Sequence, residues 1–187
     1  MNKFFSKIFF FCLSFFSSLS GLTTSVIVTC NPNNIKNLPL IIEVFNNQCT
    51  IPNEMIISLY NATKIQNQDL DKIKSIKHRY KIKLIPCSYR LFASESKNNA
   101  VMQAFGDLIL LNDTLFMLDS HRIEKIKKQF ENQKIDILLF EDRLIAIRKK
   151  VFDIVKWPVV ETNEDEKFIE DALEEGFFLK VIEKIGE

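Results

Sequence analysis

The chain has 187 residues, of which 47% are hydrophobic and 26% charged, and its formal net charge is +1 at pH 7. This length and composition are typical of one globular domain with its own core, and exclude a disordered chain. The near-neutral charge provides no basic surface field, so we expect no nucleic-acid partner. With only 4 glycines, the chain contains no glycine-rich phosphate-binding motif.

The first twenty residues, Met1–Ser20, are typical of a secretory signal peptide. Lys3 and Lys7 precede the short apolar run Ile8–Phe16, and small residues follow it. The run is shorter than the roughly 20 residues that a membrane span needs. We therefore predict that the protein is secreted or periplasmic and that its domain covers residues 21–187. The alternative is an uncleaved leader, through which alone we would expect contact with a membrane.

The segment around Cys49 organises the predicted fold of the mature chain. A short β-rich run, Ser25–Cys30, comes first. The near-continuous apolar run Pro39–Phe45 then favours a strand that is covered on both faces. Apolar residues at helical spacing predict a helix over Asn53–Ile65, with Pro52 in its first turn. Cys49 is thus expected in a loop just before a helix.

Further elements follow in regular alternation along the rest of the chain. We predict helices over 67–80, 94–105 and 120–133, a strand over 81–86 that ends just before Cys87, and hairpins over 107–119 and 134–149. The first hairpin turns at Asn112-Asp113. A strand is expected over 151–160, and the acidic tail Glu161–Glu187 is expected to form two helices that break at Gly176.

Two segments of the chain resemble a known family. Glu43–Cys49, EVFNNQC, resembles the ELFTSQGCSSCPPAD pattern of the exported thioredoxin-like proteins of a bacterial domain family of unknown function. Cys49 matches the first cysteine of that pattern, and Pro52 stands where the second is expected. Phe105–Asp113, FGDLILLND, is similar to that family's strand and turn, TPQMVVNG. The order strand, helix, strand, helix, hairpin, helix over Pro39–Gln133 is that of thioredoxin.

The resemblance covers roughly residues 39–147. It implies an α/β fold, namely a thioredoxin-like mixed sheet flanked by helices. From about residue 134 we expect a C-terminal extension made of an extra hairpin and the acidic helices.

The candidate chemistry of this chain rests on its cysteines. Free backbone N–H groups and the macrodipole of a helix N-terminus favour a thiolate, so Cys49 is the candidate nucleophile. Cys87 or Cys30 is the candidate resolving thiol. A cleaved leader leaves three cysteines, so at least one is free or paired between chains, and disulfides between Cys49 and either of the other two stay open. A Cys–His pair would need His78 or His121.

Two functions follow from these observations. The first is a degenerate thioredoxin-like module that serves binding or structure in the cell envelope, where its acidic tail could contact a basic protein partner. The alternative is a thiol-dependent redox protein that uses Cys49 with Cys87 or Cys30 as the resolving thiol. Because the Cys and His residues are not clustered, we expect no metal site, and we expect no cofactor. The oligomeric state stays open.

Overall fold

The structure is a computed structural model that describes residues 21–87, 92–112, 119–132, 134–141, 143–160 and 162–183. The predicted signal peptide lies outside the described residues, so export stays a prediction. Within the described ranges, no helix combines the length and the apolar character that crossing a membrane requires.

The described residues form an alternating series of strands and helices. The strands, β1 to β7, are Thr24–Cys30, Glu54–Leu59, Lys81–Pro86, Leu108–Asn112, Ile137–Phe140, Arg143–Arg148 and Leu179–Ile182. The α-helices, α1 to α6, are Leu38–Asn46, Asn67–Ser75, Ala93–Met102, Arg122–Asn132, Lys149–Ile154 and Glu164–Glu174.

All seven strands join one mixed sheet in the order β3-β2-β1-β4-β6-β5-β7. Strand β1 lies between β2 and β4 and is parallel to both, and β3 is parallel to β2. Strand β6 is antiparallel to β4 and β5, and β7 is parallel to β5. The predicted α/β class, a mixed sheet flanked by helices, is therefore confirmed.

Each face of the sheet packs against its own set of helices, because alternate residues of a strand point to opposite faces. On one face, Val26 and Val28 of β1 belong to a core that includes Phe45 of α1. On the other face, Ile27 belongs to a second core with Val101 of α3 and Phe168 of α6. Both faces of the central strands are thus covered, as expected of parallel strands.

The prediction of a strand over Pro39–Phe45 was wrong, because this segment is helix α1. Its buried residues recur at helical spacing, and they are Leu38, Ile41, Ile42 and Phe45. Leu40, in the middle of the apolar run, is 57% exposed. The run therefore has one buried stripe rather than two covered faces, and Pro39 occupies the first turn, where a proline is tolerated.

The prediction of a helix over Asn53–Ile65 was also wrong, because its first half is strand β2. All six residues of β2 are buried, so their spacing carries no preference for one face. The strand pairs with β1 on one side and β3 on the other. As a consequence, Cys49 precedes a strand, and the helix N-terminus expected directly after it does not exist.

Most of the other predicted elements are confirmed with shifted ends. These are β1, α2, β3, α3, α4 and the β5–β6 hairpin. The strand expected over 151–160 is wrong, since its first part is helix α5, and the second helix expected after Gly176 is wrong, since strand β7 follows. In the hairpin expected about Asn112-Asp113, the first half is β4, which pairs with β1 and β6. Residues 113–118 lie outside the described residues.

A network of hydrogen bonds ties the amino ends of the central strands together. The Ser25 hydroxyl donates to the buried Glu54 carboxylate at 2.6 Å, and the backbone N–H of Phe105 donates to the same oxygen at 2.8 Å. The backbone N–H of Gly106 donates to the Ser25 hydroxyl oxygen at 2.8 Å. Because Glu54 is only 2% exposed, these donors replace the water that it loses on burial. The carboxyl ends of these strands lie outside this network.

Candidate functional site

The sheet has a topological switch point between β1 and β4. From β1 the chain proceeds to β2 and then β3 on one side, and it returns to place β4 on the other side of β1. The strand order therefore reverses direction between β1 and β4. In open α/β sheets, ligands bind in the crevice at such a point.

A cavity of about 280 Å³ lies at this point of the sheet. Its floor consists of residues from three adjacent strands, which are Ile27 and Thr29 of β1, Leu111 and Asn112 of β4, and Leu144 of β6. Its walls come from the loops after β1 and β2, from the first two turns of α3 and from the first turn of α6. The floor combines the apolar side chains of Ile27, Leu111 and Leu144 with the polar side chains of Thr29 and Asn112, and further polar groups stand around the rim.

The loop after β1 is held in a fixed shape at the rim of the cavity. The Asn31 side-chain oxygen accepts hydrogen bonds from the backbone N–H groups of Asn33 and Asn34, at 2.9 and 3.1 Å. The Asn31 amide nitrogen also donates to the Tyr60 hydroxyl at 3.1 Å. Asn34 and Tyr60 both line the cavity. An aromatic ring and an amide thus stand at the β1–β2 side of the crevice.

A cation and two carboxylates meet at the opposite wall. Lys97 Nζ of α3 lies 3.1 Å from Glu164 Oε1 and 2.6 Å from Asp165 Oδ1, both in the first turn of α6. The Lys97 side chain is 14% exposed, and those of Glu164 and Asp165 are 20% and 40% exposed. Acidic residues suit a helix N-terminus, where the macrodipole favours negative charge. All three side chains line the cavity.

The buried indole of Trp157 fixes one of these carboxylates. Its Nε1–H donates to Asp165 Oδ1 at 2.7 Å, and its ring stacks on Phe168 with centroids 4.2 Å apart. Asn98, next to Lys97 in α3, exchanges two hydrogen bonds with the backbone of Trp157. The carboxylate of Asp165 is therefore oriented by groups from two other segments of the chain.

Cys49, the predicted nucleophile, lies elsewhere, beside the N-terminus of α4. Its Sγ is 3.6 Å from His121 Nε2, and His121 Nδ1 is 3.2 Å from Glu124 Oε2. Hydrogen bonds from Lys128 and then from His121 lower the pKa of the Glu124 carboxyl. The structure thus forms the Cys–His pair with His121, and all of these side chains are exposed to a substantial degree. The nucleophilic role of Cys49 stays a prediction.

The other two cysteines are buried, and neither forms a disulfide. Cys30 ends β1, and burial raises the pKa of its thiol to about 12. Cys87 follows β3, where its backbone N–H bonds to Leu59, whereas Cys49 lies in the loop that enters β2 from the opposite end. Cys49 is also a free thiol, so none of the three shows the pairings left open by the sequence. His78 lies on another segment, with its ring against Tyr80.

The described residues contain no cluster of three or more His, Cys, Asp or Glu side chains that could hold a metal ion. At the cavity, the oxygen ligands they offer are the amides of Asn34 and Asn112, the hydroxyls of Thr29 and Tyr60, and the two carboxylates of α6, which already pair with Lys97. These side chains do not by themselves constitute a metal centre.

Comparison with known proteins finds the same fold among glycosyltransferases. The chain is similar to residues 1–349 of TarS from S. aureus, with a TM-score of 0.71 and 14% identity over 87% of this chain and 59% of that one. It is also similar to TarS in complex with UDP-GlcNAc, with a TM-score of 0.70 and 15% identity over 87% and 57%.

A third similar structure is the mannosyltransferase PcManGT from Pyrobaculum calidifontis in complex with GDP-Man and Mn²⁺. Its TM-score is 0.76, at 11% identity over 89% of this chain and 56% of that one. The chain thus spans less than three fifths of the length of these proteins. No family model and no curated protein sequence matches it. At these identities the comparison establishes the fold alone.

The resemblance to exported thioredoxin-like proteins is therefore wrong. The structural neighbours are glycosyltransferases, and the segment matched to a strand, loop and helix is in fact a helix, loop and strand. The two functions derived from that resemblance, a degenerate thioredoxin-like module and a thiol-dependent redox protein, are contradicted by the same finding.

The sequence analysis missed the residues that surround the cavity. Lys97 was part of a short predicted helix, and Glu164 and Asp165 were part of the acidic tail. One signal was available, because the regular alternation of strands and helices from β1 to β4 is typical of a doubly wound sheet. That pattern would have directed attention to the residues after β1 and β4.

Proposed function

We propose that this chain is a glycosyltransferase domain that binds a nucleotide sugar in the cavity between β1 and β4. The observation that carries the proposal is the position of this cavity at the switch point, with a lysine and two carboxylates at its wall. Support comes from the shared fold, since the structures of TarS and PcManGT include complexes with UDP, UDP-GlcNAc and GDP-Man.

The chemistry of the walls suits the two ends of such a donor. A nucleotide has a flat, partly polar base, and Tyr60 and Asn34 offer an aromatic face and an amide for it. The diphosphate is anionic, and Lys97 supplies the positive charge among the described residues of the wall. We therefore orient the donor with its base toward the β1–β2 loops and its phosphates toward α3.

We assign Asp165 the role of general base. In the transfer, a hydroxyl oxygen of the acceptor bonds to the anomeric carbon of the sugar while the bond from that carbon to the phosphate oxygen breaks. The carboxylate takes the hydroxyl proton, and the nucleoside diphosphate leaves with the electron pair. Asp165 suits this role because Trp157 and Lys97 orient it and its side chain is 40% exposed. Glu164 beside it is less accessible, at 20%.

The complex of PcManGT contains Mn²⁺. The described residues of this chain gather no group of three or more His, Cys, Asp or Glu side chains that fits a metal ion, so the roles above are assigned to side chains of the protein alone.

Donor hydrolysis tests the assignment without knowledge of the acceptor, since water can replace it. The purified chain is incubated with UDP-GlcNAc and with GDP-Man, and release of UDP or GDP is measured. We expect slow release by the wild type and a loss of about 100-fold in Asp165→Asn, the range that removal of a general base typically causes.

Glu166→Gln is the matched control. Glu166 is in the same turn of α6 and loses the same charge, but it is exposed and does not line the cavity. Its activity should equal that of the wild type. Equal activity of Asp165→Asn and wild type would remove Asp165 from the mechanism, and hydrolysis of neither donor by any variant would contradict the proposed transferase.

A further inference from the structure

Lys97 is the one cation among the described residues that line the cavity, and it already has two anionic partners. Its side chain is 14% exposed, and both contacts are of salt-bridge length. Without a ligand, this wall of the cavity therefore carries one positive and two negative charges. A nucleoside diphosphate would bring at least two further negative charges to a site whose only described cation is occupied.

We propose that Lys97 exchanges partners when the donor binds: it leaves Glu164 and Asp165, pairs with the diphosphate and so frees the carboxylate of Asp165 for the acceptor. This inference rests on the proposed function and adds an order of events, in which the donor binds before the base acts. Lys97 and Trp157 both contact Oδ1 of Asp165, and this oxygen loses its ion pair only after the donor has withdrawn the ammonium group. Donor binding would thus precede the use of Oδ1 as the base.

The contacts of Lys97 allow such an exchange. A lysine ammonium has three donors and stands on a flexible four-carbon stem, so it can turn from one anion to another. Lys97 Nζ lies 5.8 Å from the centre of the Trp157 ring, within the range of a cation–π contact. That ring is buried and stacks on Phe168, so it remains in place while the ammonium moves.

Asp165 has a second orienting partner besides Lys97. Its Oδ1 accepts the indole N–H of Trp157 at 2.7 Å as well as the ammonium of Lys97. Departure of the ammonium removes one hydrogen bond from that oxygen and leaves the other. The carboxylate thus keeps its position and gains a lone pair for a hydroxyl, which is what a base needs after the donor has bound.

Binding of UDP and GDP to four versions of the full chain tests the exchange, by calorimetry under one set of buffer and metal conditions. The versions are wild type, Lys97→Met, Glu164→Gln/Asp165→Asn and the combination of all three substitutions. The amides keep the shape and the acceptor oxygens of the carboxylates, and thermal melting verifies that each variant folds. Lys97→Gln replaces Lys97→Met if the latter does not fold.

Exchange predicts a coupling between the two sets of substitutions. Neutralising the carboxylates should tighten binding about tenfold in the wild-type background, because Lys97 no longer has to leave them. The same change should alter binding less than twofold when Lys97 is already absent. Lys97→Met alone should weaken binding about tenfold.

Three results would overturn the exchange. If the amides tighten binding equally with and without Lys97, the carboxylates merely repel the nucleotide. If the amides leave binding unchanged or weaken it, the ion pair is a structural tie between α3 and α6. If the wild type binds neither nucleotide, the proposed function fails and the exchange fails with it, whereas the first two results leave the proposed function intact.

Discussion

The substitution Gly106→Ala should destabilise the fold far more than any other glycine substitution among the described residues. A Cβ at Gly106 would lie 2.6 Å from both Ser25 N and Ser25 Oγ, and 2.8 Å from Thr24 C. Ordinary contacts of a Cβ begin at about 3.4 Å, so the new methyl group would have to displace backbone by about 0.8 Å. That backbone belongs to β1, which is held by a strand on each side.

Two effects contribute to the expected loss. Overpacking of this kind costs about 1–3 kcal/mol. Any shift of Gly106 also strains its hydrogen bond to the Ser25 hydroxyl, which in turn donates to the buried Glu54 carboxylate, and loss of that bond costs about 1 kcal/mol more. We therefore expect the free energy of unfolding, measured by urea denaturation at pH 7, to fall by about 2–4 kcal/mol.

Two other glycines of the chain provide matched controls. A Cβ at Gly21 would meet only side-chain ends at 3.7 Å, so Gly21→Ala should change the free energy of unfolding by less than about 0.5 kcal/mol. Gly176 has open space but a φ of +83°, so Gly176→Ala should cost about 1 kcal/mol through backbone strain alone. The reasoning is refuted if Gly106→Ala is no more destabilising than Gly176→Ala.

Three further predictions concern thiols, acid stability and the indole. Under native conditions iodoacetamide should modify Cys49 and spare Cys30, whose buried thiol has a pKa raised to about 12; mass spectrometry showing both modified at equal rates would contradict this. Hydrogen bonds from Thr23 lower the pKa of Asp107, so the stability it contributes is present above its unfolded pKa of about 3.9 and is lost as pH falls through the lower folded pKa. Asp107→Asn should therefore destabilise at pH 7, and its difference from the wild type should shrink as the pH falls below the unfolded pKa; a difference that does not change with pH would refute this. Trp157→Phe removes a hydrogen bond to a carboxylate and should lower the free energy of unfolding by about 1.5–3 kcal/mol in urea denaturation, whereas no change would show that the bond contributes nothing.

The sequence carried enough information to predict the fold class and most of the elements, because amphipathic helices and the tight hairpin leave strong local patterns. Helix α4 and the β5–β6 pair were predicted on those patterns. The errors fell where the local pattern is ambiguous. A short apolar run fits either a buried strand or a helix stripe, and Leu38–Asn46 was assigned to the wrong one.

The mirrored error at Glu54–Leu59 has the same physical origin. A strand buried on both faces has no alternation, and its apolar residues then match a helical spacing by chance. The two errors together turned a helix–loop–strand into a strand–loop–helix. This reversal placed Cys49 before a helix N-terminus and led to the thioredoxin-like interpretation.

The site could not be predicted from local sequence, because its residues are brought together by the topology of the sheet. Lys97 and Asp165 are far apart in the chain and meet only because α3 and α6 pack on the same face. Likewise, Cys49 and His121 were considered as a pair, but their approach to 3.6 Å depends on the contact of the Cys49 loop with the start of α4. Side-chain type alone does not determine either contact.

The most direct test of the proposed function is a calorimetric titration of the wild-type chain with UDP and with GDP. We predict saturable binding of at least one of them at a single site, with a Kd between about 1 µM and 1 mM, the usual range for a substrate. Ala93→Phe fills part of the cavity from the first turn of α3 and should weaken nucleotide binding at least tenfold. Asn99→Phe on the same helix does not alter the lining of the cavity and should not weaken binding. Absence of binding for both nucleotides, or binding that Ala93→Phe leaves unchanged, would contradict a nucleotide site between β1 and β4.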